Sequence, residues 1–547
     1  MPIETIQRAL LEVLERRPDE RAVGFADLSG RVEWLTALEL QREAAARAAW
    51  LGEVGLEPGR AAVLVTADPR LAATVVAGVL QLGALPLLVA PPAIQGVNSQ
   101  LEQVVDHVVR VTGGLLVPTS EPVRAPASEV SFVEPDPSAV AALQLTSGTT
   151  GFPRVCVWGH RQVLSAVDGM AAGMRLESDD LYANWTPLYH DMGLVNNFLL
   201  CLIRGIPLVL IDPLDFIRRP DLWLRVIHEQ GATQTWAPNF GFAVAAQRVR
   251  DEEIEGVRLD HVRGFWNAGE KVHIGTFEEF FARFESRGLR WRSLKANFGC
   301  AENVGGATFT DPRGELVVER VRATELHEER RAVVADESFT GPTEHIVSTG
   351  KGHPLLEARV LDDAGAPLAD GRVGQIALES PSRLLGFMGQ PDESAAVIRD
   401  RYLLTGDIGY LRDGELFWVG RARERINLAG VKYDPSDFEV VVNSIEGLRK
   451  GCFAAFGVED AALGTQRLVL LCEVVHGAER GPGEIAAEVR GQTTMKIGVT
   501  VSVVALVPRG TLTKTSSGKR RHLHFKGMFL NGELEILHQE GVVRPVK

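Results

Sequence analysis

Residues 146–154 read Thr146-Ser147-Gly148-Thr149-Thr150-Gly151-Phe152-Pro153-Arg154 and lie between two apolar runs. Small hydroxylated residues interleaved with glycine let successive backbone N–H groups and side-chain hydroxyls point at one place, which suits a polyphosphate. A second loop of the same texture, Thr513-Lys514-Thr515-Ser516-Ser517-Gly518-Lys519, lies near the far end of the chain and ends on a primary ammonium. Either loop alone reads more readily as an ordinary polar turn. Between them stand three further unusual clusters in a fixed order: Pro187-Leu188-Tyr189-His190-Asp191-Met192-Gly193-Leu194, Asn297-Phe298-Gly299-Cys300-Ala301-Glu302 and Leu404-Thr405-Gly406-Asp407. The set points to ATP.

The elements that position these residues follow from composition and pattern. With 547 residues, 45% hydrophobic and 24% charged, the chain can bury several cores. A formal charge of -13 argues against a general nucleic-acid or anionic-membrane surface, since both need a basic face. Ile6, Leu10, Val13 and Leu14 fall on one helical stripe among charged neighbours, which makes the N-terminus an amphipathic helix and no signal peptide. Residues 71–90 are uncharged, but Gly83 and Pro86 divide them into a buried helix and a short strand, so no stable membrane insertion is expected and a cytoplasmic protein is. Cys156, Cys201, Cys300, Cys452 and Cys472 lack metal-ligand spacing and read as core residues.

Helical patterns alternate with short apolar runs such as residues 61–65 and 206–211, which implies an α/β fold of parallel sheets covered by helices. From about residue 362 the texture changes to short strands and turns, at 373–378 and 414–420 among others, giving a β subdomain over about 345–420. The large N-terminal domain then spans 1–421, and a smaller, mobile α+β C-terminal domain spans 422–547. Within the latter, a helix is expected over 435–445 and strands near 452–456, 467–474 and 499–506. No internal repeat or low-complexity tract is present.

The clusters, followed by Gly420-Arg421 and Ser517-Gly518-Lys519, resemble in kind and order the adenylate-forming superfamily of acyl and aryl CoA ligases, peptide-synthetase adenylation domains and luciferases. Within it, residues 143–148, 187–194, 237–240 and 510–519 are most similar to the fatty acyl-AMP ligases. A charged stretch over about 317–335 sits where those ligases carry an insertion thought to hinder the rotated arrangement needed for CoA; on its residues alone it reads equally as a solvated loop.

The resemblance implies activation of a carboxylic acid to an acyl adenylate with release of pyrophosphate, then transfer to the phosphopantetheine thiol of a separate acyl carrier protein. The acid is ionised at neutral pH and needs no general base, so catalysis rests on positioning and preorganised positive charge. Thr146, Ser147, Gly148, Thr149, Thr150 and Gly151 would cradle the β and γ phosphates. Lys519 would bridge the attacking carboxylate and the α-phosphate. Glu302, with Thr146, would hold Mg²⁺. Asp407 would accept the ribose hydroxyls with Arg421 beside it. Adenine would lie against Phe298, with Ala268, Gly269 and Glu270 at its edge and Asn297 and Gly299 flanking. His190 would position substrate, and Trp185, Asp191, Met192, Gly193, Asn239 and Phe240 would line the acyl pocket. Arg423 matches the hinge about which the terminal domain turns.

Several positions depart from the pattern. Arg154 replaces the usual lysine, Arg423 a lysine or aspartate, Glu424 an aspartate, Thr513 a proline and Asn303 a threonine or alanine. The change at Asn303, with Val304-Gly305-Gly306 after it, alters a loop that touches nucleotide and acyl group, so the acid need not be a plain long-chain one. A CoA ligase and a non-catalytic nucleotide-binding homologue are the alternative readings. Ser516 to Lys519 also fits the S-x-x-K pattern of serine acyl enzymes, but no S-D-N or K-T-G companion is present.

Overall fold

The computed structural model describes residues 4–91, 98–119, 132–146, 153–341, 343–421, 424, 426–428, 431–460, 465–475, 477, 480–514 and 520–542. Its framework is a nine-stranded sheet whose inner strands, Arg21–Ala26, Leu208–Ile211, Tyr182–Asn184, Gln234–Ala237, Gly264–Asn267 and Leu294–Cys300, run parallel. Antiparallel strands close both edges, Val32–Thr36 on one side and Gly305–Phe309 with Lys351–Gly352 on the other. Leu208–Ile211, Gln234–Ala237 and Gly264–Asn267 are buried on both faces, which is why residues 206–211 read as a continuous apolar run. A second parallel sheet joins Ala61–Val65 to Leu85–Val89 and Leu115–Leu116.

The uncharged stretch folds as the residues dictate. Asp68 caps the Pro69–Gln81 helix by accepting from the Arg70 and Leu71 amides, and Pro69 occupies the first turn, where its missing N–H costs nothing. Gly83, at φ 73°, turns the chain into the Leu85–Val89 strand. The amphipathic N-terminal helix spans Ile6–Arg16 and is capped by Thr5. Among the described residues no helix is long and apolar enough to cross a membrane.

The β subdomain is a five-stranded antiparallel sheet of Glu357–Leu361, Gly374–Glu379, Tyr402–Arg412, Ile398–Arg399 and Glu415–Arg421. The charged stretch at 317–335 is no solvated loop: it forms the Val318–Arg322 strand, paired with Thr343–Val347, and the Ala323–His327 helix. Val321, Leu326 and Ala332 pack there on Tyr410, Phe417 and Val419 of the β subdomain. After Arg421 comes the Ile426–Leu428 and Val431–Tyr433 hairpin, then a four-stranded sheet of Leu448–Asp460, Thr465–Val474, Val503–Val507 and His538–Glu540 with the Pro482–Ile497 and His522–Asn531 helices. The single helix expected over 435–445 is two pieces, a 3₁₀ turn Pro435–Phe438 and a short helix Glu439–Val442.

Candidate active site

The parallel register carries the candidate residues to one edge. Ala237 pairs with Asn267, so those two strands end level, while Leu294–Cys300 pairs with Asn267 through Ala296 and runs on to Cys300. Their carboxyl ends deliver Trp185 to His190, Asn239, Ala268 to Glu270 and Cys300 to Glu302 to the same crevice, where open α/β sheets bind ligands.

The first polar loop springs from an antiparallel pair, Val140–Leu145 and Val155–Gly159. Its neck is closed by the Thr146 amide donating to the Arg154 carbonyl (2.9 Å) and the Arg154 amide donating to the Thr146 hydroxyl (3.1 Å). Ser147, Gly148, Thr149, Thr150 and Gly151 lie outside the described residues, as do Arg423 and Lys519. The neck itself is tied to the magnesium candidate. Arg154 reaches Glu302 at 3.2 Å and Glu393 at 3.2 Å while its guanidinium lies 4.1 Å from the centroid of the Phe387 ring. Glu302 sits in a 3₁₀ turn, Ala301–Asn303, held because Trp158 donates to the Ala301 carbonyl (2.9 Å) and the Leu384 amide to the Glu302 carbonyl (2.7 Å). Val304 leaves that turn at φ 53°, a left-handed conformation unusual for a β-branched residue.

Strand pairing sets Asp407 opposite Arg421, with 3.3 Å between carboxylate and guanidinium. Asp407 is almost wholly buried, and its charge, ahead of Glu424 and Glu302 and against burial, raises Arg421 above the ordinary arginine range. Glu302, Asp407 and Arg421 therefore share one electrostatic neighbourhood.

His190 caps the short Asp191–Gly193 helix by accepting from the Met192 amide (3.2 Å), and its Nδ1 lies 2.9 Å from Asp191. Gln144, from the strand leading to the first polar loop, donates to the Tyr189 carbonyl (3.0 Å) and so links the two segments. Gly193 must be glycine, since a Cβ there would overlap the Pro187 carbonyl. Gly269 has φ 89°, and the Met192 methyl lies where it would meet a Cβ at 3.3 Å. These two residues face each other across the crevice.

Other expected residues serve differently. Phe298 has no exposed surface; its ring packs edge-on against Trp418 at 5.2 Å, so it offers no free face to adenine. Asn297 is buried too and donates to the Thr308 carbonyl across the hairpin. Trp185 stacks on Phe216 at 3.9 Å within the aromatic core. Asn239 uses its amide to accept from Asn267 (2.8 Å) and donate to the Lys271 carbonyl (2.7 Å), which fixes the Ala268 to Glu270 loop. Residue type could not foretell these roles, because an inward and an outward Phe, Trp or Asn look alike in a sequence. Glu393 and Phe387, which clamp Arg154, went unnoticed; neither stands in a motif.

Among the described residues no group of three or more metal-binding side chains occurs. A single oxygen donor at Glu302, beside a phosphate-type loop, fits Mg²⁺, which keeps several waters and takes one or two carboxylates plus phosphate oxygens.

Residues 61–388 match the family model of the AMP-binding enzyme. The chain belongs to this AMP-binding family. It is 27% identical over 578 residues to the long-chain-fatty-acid–AMP ligase FadD26 of Mycobacterium marinum, covering 95% of this chain and 97% of that one. It is 29% identical over 412 residues to the medium-chain-fatty-acid–[acyl-carrier-protein] ligase JamA of Moorena producens, covering 72% and 69% respectively. A solved fatty acyl-adenylate ligase, from work on those of E. coli and L. pneumophila, has the same fold with a TM-score of 0.89 at 24% identity over 97% of this chain and 98% of that one. Membership makes the chain an AMP-forming acyl ligase.

Proposed function

We propose that this protein activates a fatty or related carboxylic acid with ATP to an acyl adenylate, releases pyrophosphate, and passes the acyl group to the phosphopantetheine thiol of a separate acyl carrier protein. The observation that carries this reading is the convergence of Glu302 and the His190 turn, from the nine-stranded sheet, with the Asp407–Arg421 pair of the β subdomain, at the neck of a phosphate-type loop. The relatives named as fatty-acid–AMP and acyl-carrier-protein ligases support the substrate and the acceptor.

In this reading the acid enters past Phe240 and Met192, and its carboxylate lies near His190. Asp407 receives the ribose hydroxyls, and Arg421 neutralises the charge that Asp407 and Glu302 concentrate there. Glu302 would hold Mg²⁺, which supplies charge neutralisation between the phosphates; Arg154, now on Glu302, is free to turn to phosphate oxygen. Adenine lies along the Ala268-Gly269-Glu270 backbone, with Gly299 opposite, and Phe298 supports that floor from beneath. Ser147 to Gly151 cradle the outer phosphates, and Lys519 brings one positive charge to the oxygens where acid meets nucleotide. Catalysis is then positioning plus preorganised charge, with no proton to remove.

The proposed role of Lys519 draws support from the described residues on either side of it in the sequence. The Lys514 ammonium lies 5.2 Å from the centroid of the Phe240 ring in the large domain, and Arg520 grips Glu439 through two bonds of 3.0 and 2.9 Å. The test is ATP–pyrophosphate exchange across fatty, aryl and amino acids, followed by thioester formation with free CoA against a holo carrier protein. Exchange with fatty acids and transfer to the carrier alone are expected. Efficient thioester formation with free CoA removes the carrier-protein reading, and no exchange with any acid removes adenylation.

A further inference from the structure

The junction between the two domains holds a cluster of charges that the reaction itself does not use. Lys271 follows the adenine-edge loop directly and is 9% exposed. Its ammonium contacts Glu344 of its own domain and stands 3.6 Å from Asp437 of the small domain. Glu344 in turn bonds His327, at 2.8 Å, on the Ala323–His327 helix, and that imidazole lies 6.1 Å from the Tyr433 ring of the small domain. Two residues further along each partner, His273 faces Glu439 at 3.9 Å, and Glu439 holds Arg520, the residue next to Lys519. The loop at 271–273 thus lies in register with residues 437–439, and the second line of contact ends beside the Lys519 segment.

We propose that Lys271 is a positioning residue: by bridging Glu344 to Asp437 it latches the small domain in the orientation that serves adenylate formation, and it must release Asp437 for the transfer step. The proposal rests on the reading above for what that orientation does, but the latch itself is a matter of geometry.

Three observations support separability. The Lys271–Glu344 pair stays whole within the large domain when Asp437 leaves, so no uncompensated buried charge remains behind. Asp437 keeps a local partner, since its second oxygen accepts from the Asp434 amide at 2.8 Å. Asp434 also lies so close to Gly420 that a Cβ there would overlap its carboxylate, which puts the latch at the point where the chain leaves the β subdomain. A buried pair nearly balances attraction against lost hydration; such a contact specifies an orientation without gluing it.

The experiment uses the full chain with a fluorophore pair at the exposed positions 255 and 535, one in each domain, in wild type, Lys271→Met, Lys271→Arg and Asp437→Asn. Wild type and Lys271→Arg are expected to show one narrow interdomain distance, and Lys271→Met and Asp437→Asn a broadened one. In the same two variants pyrophosphate exchange should fall by roughly tenfold while thiol transfer from supplied acyl adenylate holds or rises. Asp437→Asn, on the opposite domain, keeps the test valid if loss of Lys271 impairs folding. Unchanged distances in both variants overturn the proposal, as does an equal loss in both half-reactions, which marks a purely structural role. If wild type shows no exchange at all, the functional reading fails while the distances still decide the latch.

Discussion

The large domain's core and its junction with the small domain are held by opposite kinds of force. Under the nine-stranded sheet, Trp223 meets Phe216, Trp185, Phe242 and Phe265 edge to face at 5.7 to 6.4 Å, every ring buried. At the junction the facing groups are Lys271, His273, His327 and Glu344 against Asp434, Asp437, Glu439 and Arg520. Aromatic packing at interior density tolerates no drift, and it holds the strand ends that carry His190, Gly269 and Glu302 in fixed relation. Charges regain hydration when they part, so a junction made of them can open and close. Net charge agrees: residues 422–547 carry 17 Lys and Arg against 14 Asp and Glu, while the whole chain stands at -13, so a basic small domain faces an acidic large one. The molecule places rigidity where the strand ends must meet and reversibility where a domain is proposed to turn.

Breaking the rigid half should have the largest effect. Trp223→Ala removes a fully buried indole together with its hydrogen bond to Thr235 (2.8 Å) and is expected to cost about 3–5 kcal/mol of stability, read by denaturant unfolding. Next comes the charge that the small domain is proposed to deliver. Lys519→Ala should lower pyrophosphate exchange by about 10²–10³-fold, because a preorganised positive group is lost. Adenylate production that survives this change sinks the proposed mechanism. A smaller effect is expected at Glu302→Gln, which keeps the shape but lets Arg154 go: the Mg²⁺ concentration needed for half-maximal nucleotide binding, measured calorimetrically, should rise by roughly tenfold. Nucleotide binding that keeps its Mg²⁺ dependence removes Glu302 as the ligand.

What the sequence disclosed divides along the same line. Burial leaves a periodic trace, so the Ala61–Val65 strand, the capped Pro69–Gln81 helix and the Leu85–Val89 strand could be read from apolar spacing, Asp68 and Pro69. The motif residues His190, Gly193, Glu302 and Asp407 stand out in the sequence because their types are unusual in that order, and their roles are those proposed above. Whether a ring faces in or out was not, which is why Phe298 was expected on adenine and is found against Trp418. The charged stretch at 317–335 could be read equally as an insertion or as a solvated loop; Val321 and Leu326 are the residues that anchor it. Nothing in the sequence joins Lys271 to Asp437, since a charge carries no period and its partner is chosen by tertiary distance alone.

The finest way to sharpen the comparison is pH. Burial first, then Glu344, raises Asp437 to about 6 against the pull of Lys271, with Asp434 adding to the rise and His327 opposing it. Lys271 stays charged, because Glu344, Asp437 and Asp434 more than offset its own burial. Lys271, more than His327, holds Asp437 toward its ionised form, so Lys271→Met should raise the Asp437 value further, as read by NMR titration of its carboxyl carbon. Glu344 acts in the opposite sense: its bonds to Lys271 and His327 hold it below the usual carboxylate range, so its contribution is present above that range and is lost in stronger acid. The Asp437 titration at about 6 should accordingly be absent in Asp437→Asn, which carries no proton to gain. A titration at about 6 that persists in that variant would assign it to another group and leave the junction's charge pattern without its proposed role.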